Sequence, residues 1–452
     1  MARKFREWTP DQNYLFPPSP WEWLPRNHLV YFLLDVSEQV DVAPIIDDYD
    51  SEQGGQPPFH PRMMLVLLLY AYSVGVFSSR KIMARCETDV AFRVIVGDDI
   101  PDFRRIAEFR RRHLQHMQLL FVEILGLCRE AGLLKVGRLA LDGTKIKANA
   151  SRHKAMSYDR MTSEEERLQK EIDELLKQAQ ASDEADDAEH GVDLRGDELP
   201  EALNRRETRL QKIREAKAAL EAQARQKAAD HAAQLQAEGR TPRSDPDQAV
   251  PQPKDQRNFT DPESKIMKTS NKGFDQCGNA QAVANEAQII VSADVTNQAN
   301  DSRQVEPMVA QTLENLEAVG VQENIGAFTT DAGYFSEDNA TTLEANERID
   351  EAYIATGRMK HHEQVADAPK GRPPKALTAK EKMARKLRTK KGRAEYSRRK
   401  AIIEPAFGQI KHCRGFRQFL LRGLEQMQGE WKLVCLTHNL LKLFRHGVFA
   451  AD

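Results

Sequence analysis

The stretch Ala401-Ile402-Ile403-Glu404-Pro405-Ala406-Phe407-Gly408-Gln409-Ile410-Lys411 holds one carboxylate, Glu404, in an apolar frame. A strongly basic run precedes it, with 14 Lys/Arg against 2 Glu between Lys370 and Lys400. An acid beside so much positive charge suggests a metal ligand that acts on a polyanion. Such a ligand needs partner carboxylates from other elements, and we expect them at the ends of strands.

Length and composition limit the number of domains and the class of protein. A chain of 452 residues is expected to form roughly two to four domains. Its 66 Lys/Arg and 68 Asp/Glu give a net charge of −2, so the overall charge does not by itself indicate a nucleic-acid-binding protein. The 5 cysteines lack C-x-x-C spacing, which favours a reducing compartment and neither a disulfide framework nor a zinc site. With no signal peptide and no apolar run long enough for a bilayer, a cytoplasmic protein without membrane contact is predicted.

The N-terminal region is predicted to be all-helical. Short helices at Ser78–Cys86 and Asp89–Val96 permit a helix-turn-helix, and ordinary helical packing is equally consistent with them. A long helix is predicted from Asp102 to Ala131. An arginine cluster on it could contact phosphates or form a solvated surface; its members include Arg110, Arg111 and Arg112.

Two acids are predicted to follow strands. Val136–Asp142 alternates as a strand should and leads into Gly143, which places Asp142 at the strand's end. Ile325–Thr330 is another predicted strand, and Asp331 comes directly after it. Strands and helices alternate around these positions, which indicates a mixed α/β layer.

A charged segment interrupts this layer. Between Ser163 and Glu238 the composition shifts to Ala, Glu, Gln, Lys, Arg and Leu, with a thin apolar seam at helical spacing. Thr241–Pro262 is rich in proline and polar residues and reads as a linker. We therefore predict an inserted helical hairpin, with the interrupted domain resuming after it.

Pro405 bears on the geometry of Glu404. Proline is favoured in the first turn of a helix and disfavoured inside one, so a helix is expected to begin or kink near Glu404. Lys411 lies seven residues after Glu404, nearly two turns, and should share its face. It is a candidate phosphate contact, and a solvated helix lysine is the alternative.

These motifs resemble the active site of DDE transposases from bacterial insertion sequences, in the group whose last motif reads Tyr, Arg, Glu, Lys. Leu141-Asp142-Gly143-Thr144 resembles the first-aspartate block and Asp331-Ala332-Gly333-Tyr334 the second. Tyr396, Arg399, Glu404 and Lys411 carry the last motif. The motif has three residues between arginine and glutamate, and here four separate Arg399 from Glu404. Either Arg399 or Lys400 could therefore serve the substrate.

The resemblance implies an α/β catalytic domain of ribonuclease-H-like type, a mixed sheet flanked by helices. It implies cleavage at the terminal inverted repeats of an insertion sequence and transfer of the 3′-OH ends to target DNA. Asp142, Asp331 and Glu404 would be the catalytic residues and would hold two Mg²⁺ ions, with Mn²⁺ as a substitute. Double-stranded DNA would be the partner of a homo-oligomer, and phosphates would be contacted by Tyr396, Arg399, Lys400 and Lys411.

The predicted organisation has five parts. They are a helical and DNA-binding region at 1–134, the first catalytic part at 135–162, the charged insertion and linker at 163–257, the rest of the catalytic domain at 258–415, and a C-terminal helical segment at 416–452. Two alternative functions stay open. One is a metal-dependent DNA nuclease of the same fold without strand transfer, and the other is a non-catalytic DNA-binding or scaffolding protein.

Overall fold

The computed structural model describes residues 19–49, 57–97, 99–151, 154–190, 201–237, 239–242, 244–269, 273–357, 371, 374 and 376–447. Among these residues, seven α-helices precede the first strand: α1 Leu29–Gln39, α2 Ala43–Ile46, α3 Pro61–Ser73, α4 Ser79–Thr88, α5 Val90–Val96, α6 Phe103–Arg112 and α7 Met117–Glu130. Two long helices form the insertion: α8 Tyr158–His190 and α9 Glu201–Ala237. The later helices are α10 Val305–Ala318, α11 Glu337–Ala345, α12 Ala379–Arg388, α13 Lys390–Gly408 and α14 Leu424–His446.

A mixed sheet lies at the centre of the fold. Its strands are β1 Arg138–Lys147, β4 Lys265–Lys268, β5 Phe274–Asn285, β6 Ile290–Thr296, β7 Ala327–Thr330 and β8 Ala352–Ile354. Hydrogen bonds join them in the order β4-β5-β1-β7-β8, with β6 also paired to β5. β1 runs antiparallel to β5 and parallel to β7, and β7 runs parallel to β8. The predicted mixed sheet flanked by helices agrees with this arrangement.

The N-terminal helices and the sheet share one hydrophobic core. A continuous cluster of buried side chains extends from Leu29 in α1, through α3 and α7, to Leu443 in α14. Trp431 of α14 is fully buried and donates its indole N–H to the carbonyl of Gln281 in β5 at 2.9 Å. The helical region before β1 is therefore packed on the mixed sheet by way of α14 rather than forming a separate globule.

The charged insertion has its own small core. β2 Ala155–Ser157 pairs with β3 Gln256–Asn258 where the two helices leave the sheet. Cross-helix ion pairs then join α8 to α9, for example Arg214 to Glu165 at 2.9 Å. The apolar seam predicted from the sequence forms a buried cluster between the helices: Met161, Leu168, Ile172, Leu210, Ile213, Ala216 and Leu220.

Two predicted element boundaries are wrong. The strand expected to stop at Asp142 continues to Lys147, because β5 extends alongside and pairs Lys147 with Cys277. The single helix expected over Asp102–Ala131 is interrupted at His113, whose backbone leaves helical geometry with φ −105° and ψ 14°. A 3-10 turn, Leu114–His116, then leads into α7. Asp142 therefore lies within its strand, and the arginine cluster lies on a short helix.

Pro405 neither starts nor visibly breaks a helix, contrary to the prediction. α13 begins after Thr389, whose side chain caps it, and continues through Pro405 to Gly408. Proline lacks the N–H that would bond the carbonyl of Ala401, four residues earlier. Gln288 supplies a substitute, because its side-chain amide donates to that carbonyl at 3.3 Å. A residue 113 positions away in the sequence thus helps the helix to accommodate the proline.

Among the described residues, no helix combines the length and the apolar character needed to cross a membrane.

Candidate active site

Asp142 and Asp331 meet on adjacent parallel strands. The last paired residues of β1 and β7 are Leu141 and Thr330, so the two aspartates come next on each strand. Backbone N–H groups orient both carboxylates: Gly143 donates to Asp142 Oδ1 and Gly333 to Asp331 Oδ1, each at 2.8 Å. The sheet therefore brings the two predicted acids together at the point where parallel pairing ends.

Burial and like charge act together on Asp142. Desolvation raises the pKa of its carboxyl to about 6, with a further upward contribution from Asp331, although the Arg399 guanidinium and the Gly143 N–H oppose the rise. A like charge beside a buried carboxylate disfavours ionisation of both groups. This pair would gain from a bound cation, which is a property expected of a metal site.

Arg399, rather than Lys400, faces the aspartates. Its guanidinium donates to Asp142 Oδ2 at 2.9 Å, and only 9% of the side chain is exposed. The nearby carboxylate holds the pKa of Arg399 above its usual value despite burial. Tyr396, one turn earlier, has its ring centroid 6.0 Å from the Arg399 guanidinium carbon. Lys400 is exposed. The motif spacing left Arg399 and Lys400 as alternatives, and in this geometry Arg399 is the residue that contacts the aspartate.

Glu404 is exposed on α13, while its neighbours Ile402 and Ile403 are buried. On a regular helix five residues turn by about 140° beyond a full rotation, so Glu404 does not share the face of Arg399. The carboxylate oxygens of Glu404, Asp142 and Asp331 do not all lie within 4.8 Å of one another, so the three side chains do not form a closed cluster. The structure brings the two aspartates together and leaves Glu404 outside their immediate contact.

Lys411 does reach β1, the strand of Asp142. Its ammonium donates to Thr144 Oγ1 at 2.8 Å, and Thr144 lies two residues after Asp142 on the same face of β1. The segment Gln409–Cys413 is a π-helical turn, which has more residues per turn than an α-helix. Lys411 therefore approaches the strand of Asp142 from this turn, and its shared face with Glu404 stays a prediction.

A buried polar network supports the other face of β1, and the sequence did not reveal it. Asp301 Oδ1 accepts from Lys145 at 3.1 Å, from Asn279 at 2.6 Å and from Gln281 at 3.1 Å. Tyr334 also donates its hydroxyl to Gln281. The available signal was the pair of polar residues, Asn279 and Gln281, at alternate positions of a segment, residues 277–284, that is otherwise composed of small and apolar residues.

Gly143 makes this network possible. A Cβ on Gly143 would stand 2.5 Å from Gln281 Nε2 and 3.1 Å from the Tyr334 hydroxyl. The tyrosine belongs to the short 3-10 turn that follows Asp331. The glycine beside Asp142 therefore allows the turn after Asp331 to pack closely against β1.

The predicted arginine cluster divides into two environments. Arg110 is only 6% exposed, and its guanidinium donates to the Tyr72 hydroxyl at 3.0 Å and to the Phe77 carbonyl at 2.8 Å. Tyr72 in turn donates to the fully buried Glu430 of α14 at 2.8 Å. Arg110 thus has a structural role and is not available to contact phosphate, contrary to the prediction. Arg111 and Arg112 are exposed, and Arg112 also lies over the ring of Tyr49 at 4.8 Å.

Replacing Arg110 by methionine is expected to destabilise the protein by about 3–5 kcal/mol, because Glu430 would keep its buried carboxylate without the compensating cation. The matched variant Arg111→Met should stay within about 0.5 kcal/mol of the wild type. Denaturant unfolding of both variants measures the difference. Equal stability of the two would show that the Arg110–Tyr72–Glu430 network does not hold α6 to α14.

Two family models match the chain. Residues 20–112 match the model described as Transposase domain (DUF772), and residues 371–444 match Transposase DDE domain. These matches support a DDE transposase of an insertion sequence. No curated protein and no solved structure matches the chain.

The two transposase domains correspond to distinct parts of the structure. The first covers α1 to α6, including the arginines at 110 to 112. The Transposase DDE domain covers α12, α13 and α14, and so contains Tyr396, Arg399, Glu404 and Lys411. Asp142 and Asp331 lie between the two matched segments in the sequence. The fold brings them next to the Transposase DDE domain, where Arg399 contacts Asp142.

Proposed function

We propose that this transposase cleaves DNA at the terminal inverted repeats of its insertion sequence and transfers the 3′-OH ends to target DNA. The observation that carries the proposal is the meeting of Asp142 and Asp331 on adjacent strands, with Arg399 of the matched Transposase DDE domain bonded to Asp142. Phosphodiester chemistry with metal ions needs such convergent carboxylates from separate elements.

The strand order supports a ribonuclease-H-like catalytic fold. β6, β5 and β1 form an antiparallel meander, and β7 and β8 add in parallel on the other side of β1. This order is compatible with the ribonuclease-H-like mixed sheet that the resemblance implies, and Asp142 lies on β1 while Asp331 directly follows its parallel neighbour β7. The helical insertion enters between β1 and β5 and leaves the order of these strands intact.

The residues at the site fit Mg²⁺, or Mn²⁺ in its place. Mg²⁺ prefers carboxylate and water oxygens, and Asp142 and Asp331 offer two carboxylates, of which Asp142 has a pKa raised by burial and by the nearby Asp331. A bound pair of ions would activate the attacking oxygen and stabilise the leaving oxygen. Arg399 holds Asp142 Oδ2, Gly143 and Gly333 orient one oxygen of each carboxylate, and Lys411 is placed to meet a phosphate near Thr144.

Glu404 remains the proposed third catalytic acid. It lies on α13 between Arg399 and Lys411, and both of these side chains reach β1. The backbone of Glu404 therefore passes over the segment of β1 that begins at Asp142, with its carboxylate on the open side. We infer that Glu404 completes the metal site from that side when DNA and metal are bound.

The proposed DNA contacts extend beyond the two aspartates. Tyr396, Arg399 and Lys411 would contact the phosphates beside the cut, and the exposed Lys400 would contact the backbone farther away. A cleft of about 710 Å³ separates α6 from the segment before α14, and its lining includes Arg111, Arg112 and Arg422. Contacts of this kind make affinity for DNA fall with salt. The first residues of the predicted basic run, 370, 372, 373 and 375, lie outside the described residues.

We also propose a homo-oligomer that pairs two ends of the element.

Strand transfer with labelled DNA that carries the element's end tests the proposal. The full chain with Mg²⁺ should first nick the end and then join its 3′-OH to a target duplex. Nicking without joined product, at ends that the protein binds specifically, would favour the metal-dependent nuclease. Specific binding with neither product would favour the DNA-binding or scaffolding protein.

Activity should depend on pH through Asp142. Because burial raises the pKa of Asp142 to about 6, protons compete with metal below that pH, and above it the carboxylate is already ionised. The apparent Mg²⁺ affinity should fall about tenfold for each pH unit below about 6, and added Mg²⁺ should restore the rate. Nicking rates over Mg²⁺ titrations at several pH values measure this. An Mg²⁺ requirement that stays constant between about pH 5 and about pH 7 would contradict the assignment.

A further inference from the structure

A second group of metal-type ligands lies in the N-terminal helical region. Among the described residues, Asp48, His113 and His116 form the one set of three His, Cys, Asp or Glu side chains whose ligand atoms all lie within 4.8 Å of one another. Asp48 follows α2, and both histidines lie at the interruption between α6 and α7. We propose that Asp48 Oδ2, His113 Nδ1 and His116 Nε2 bind one divalent transition-metal ion, with Zn²⁺ as the best fit.

The distances suit a shared ion. Asp48 Oδ2 lies 3.0 Å from His113 Nδ1 and 3.1 Å from His116 Nε2. Two ligands of a tetrahedral zinc ion, each about 2.0–2.1 Å from it, stand roughly 3.3 Å apart. A small inward or outward shift of one side chain would therefore admit the ion without moving the backbone of either element.

The direction of His113 supports the same conclusion. Its side chain is fully buried, and Nδ1 makes no hydrogen bond despite its 3.0 Å distance from Asp48 Oδ2. Ligands of a common ion point at the ion rather than at each other, so a short separation with poor hydrogen-bond direction is what a metal site produces. A buried imidazole nitrogen otherwise needs a partner, since an unsatisfied polar atom is costly.

A second interaction orients His113 for this role. Its other ring nitrogen, Nε2, lies 3.4 Å from the Tyr49 hydroxyl. Metal-binding histidines commonly use the second ring nitrogen in this way, which fixes the tautomer that presents a lone pair to the ion. Without an ion, the hydrogen bond between His116 Nε2 and Asp48 Oδ2 keeps the remaining two ligands close.

The ligand types select the metal. Imidazole nitrogen suits Zn²⁺ and its transition-metal neighbours, whereas Mg²⁺ prefers oxygen. The Arg112 guanidinium opposes a cation here, since it donates to the Asp48 carbonyl, and the Asp48 carboxylate offsets it. Asp48 is 32% exposed, which leaves room for water as a fourth ligand. The scattered cysteines argued against a zinc site, and this set needs none of them.

The ion would act on the structure of the N-terminal region. It would join the chain after α2 to the turn after α6, and Arg112 bonds to the same piece of chain. The site is built from different elements than Asp142 and Asp331, and metal binding can be measured without any DNA reaction. Failure of this inference would therefore leave the proposed transposition chemistry unaffected.

Cobalt titration of the metal-depleted full chain tests the site. Without Mg²⁺, the wild type should bind about one equivalent of Co²⁺ tightly, with visible absorption bands of a four- or five-coordinate nitrogen–oxygen site that Zn²⁺ abolishes. His116→Gln and Asp48→Asn, at partly exposed positions, should each weaken Zn²⁺ binding by at least about tenfold. Zn²⁺ should raise the melting temperature of the wild type and not that of these variants.

Two controls locate the binding. His231→Gln, at an exposed position of α9, and Asp142→Asn should both bind Zn²⁺ like the wild type. Tyr49→Phe keeps all three ligands and should weaken binding more mildly, which provides a test even if a ligand variant fails to fold. The proposal is overturned if the wild type binds no stoichiometric Co²⁺, or if Asp48→Asn and Tyr49→Phe both leave the affinity unchanged.

Discussion

Replacing Asp142 by asparagine is expected to lower the rates of end nicking and strand transfer on the order of a thousandfold, because the central carboxylate of the proposed metal site becomes neutral. Asp331→Asn should have a comparable effect, since the two carboxylates lie side by side where parallel pairing ends. DNA binding should persist or tighten, because removing a negative charge reduces repulsion of the phosphates. Single-turnover nicking and a binding assay on the same preparations separate the two effects.

The sheet offers a matched control for Asp142. Asp275 of β5 is 19% exposed and pairs with Lys147, while Asp142 is 18% exposed and pairs with Arg399. Asp275→Asn therefore removes a carboxylate of similar exposure, here paired with the more exposed Lys147, and activity should stay near that of the wild type. If the two variants lose activity equally, loss of folding rather than loss of a metal ligand would explain the result.

Arg399→Ala is expected to lower the nicking rate at neutral pH by roughly 100-fold. This factor corresponds to the loss of about 2–3 kcal/mol, the contribution of a charge-assisted hydrogen bond to a buried carboxylate. The loss should have a specific signature. Because the guanidinium lowers the pKa of Asp142, its removal should move the acid limb of the pH–rate profile to higher pH. Pre-steady-state rates over a pH series measure both quantities.

Lys400→Ala is the neighbouring control for Arg399. Lys400 is exposed and lies on another face of α13, so its loss should weaken DNA binding slightly and leave the pH profile in place. Equal effects of the two substitutions, or an Arg399→Ala profile without a shift, would remove Arg399 from the proposed site.

The position of Asp331 was predictable from local sequence. A short apolar strand, an acid, a glycine and the capping residue Ser336 follow one another within a few residues, and the structure has the strand, the turn and the cap in that order. The polar–apolar alternation also placed Asp142 on a strand. It could not show that the strand continues, because its length depends on pairing with β5, which follows the long insertion.

The geometry of α13 was also not predictable from local sequence, because it depends on contacts with residues that are distant in the sequence. Pro405 indicated a helix start or kink, and the helix passes through it because Gln288, at a positive φ of 63°, offers its amide to the Ala401 carbonyl. The π-helical turn that contains Lys411 has no local signature in the sequence. Arg110 shows the same limit, since its burial depends on Tyr72 and on Glu430 of α14.

The role of Glu404 can be tested directly by substitution. Its place in the motif makes it the proposed third acid, while the fold exposes it and places Arg399 next to Asp142. Glu404→Gln should reduce nicking as strongly as Asp331→Asn if the acid joins the metal site on binding DNA. An effect no larger than that of Lys400→Ala would mean that the site uses the two aspartates without it.

Metal rescue tests the central claim, that Asp142 binds the catalytic ion, most directly. A thiolate is a poor ligand for Mg²⁺, whereas Mn²⁺ tolerates softer ligands. The account predicts that Asp142→Cys loses end nicking in Mg²⁺ and regains a substantial part of it in Mn²⁺, while the wild type works in both. An Asp142→Cys variant that folds and binds ends, yet has the same activity in Mn²⁺ as in Mg²⁺, would contradict it.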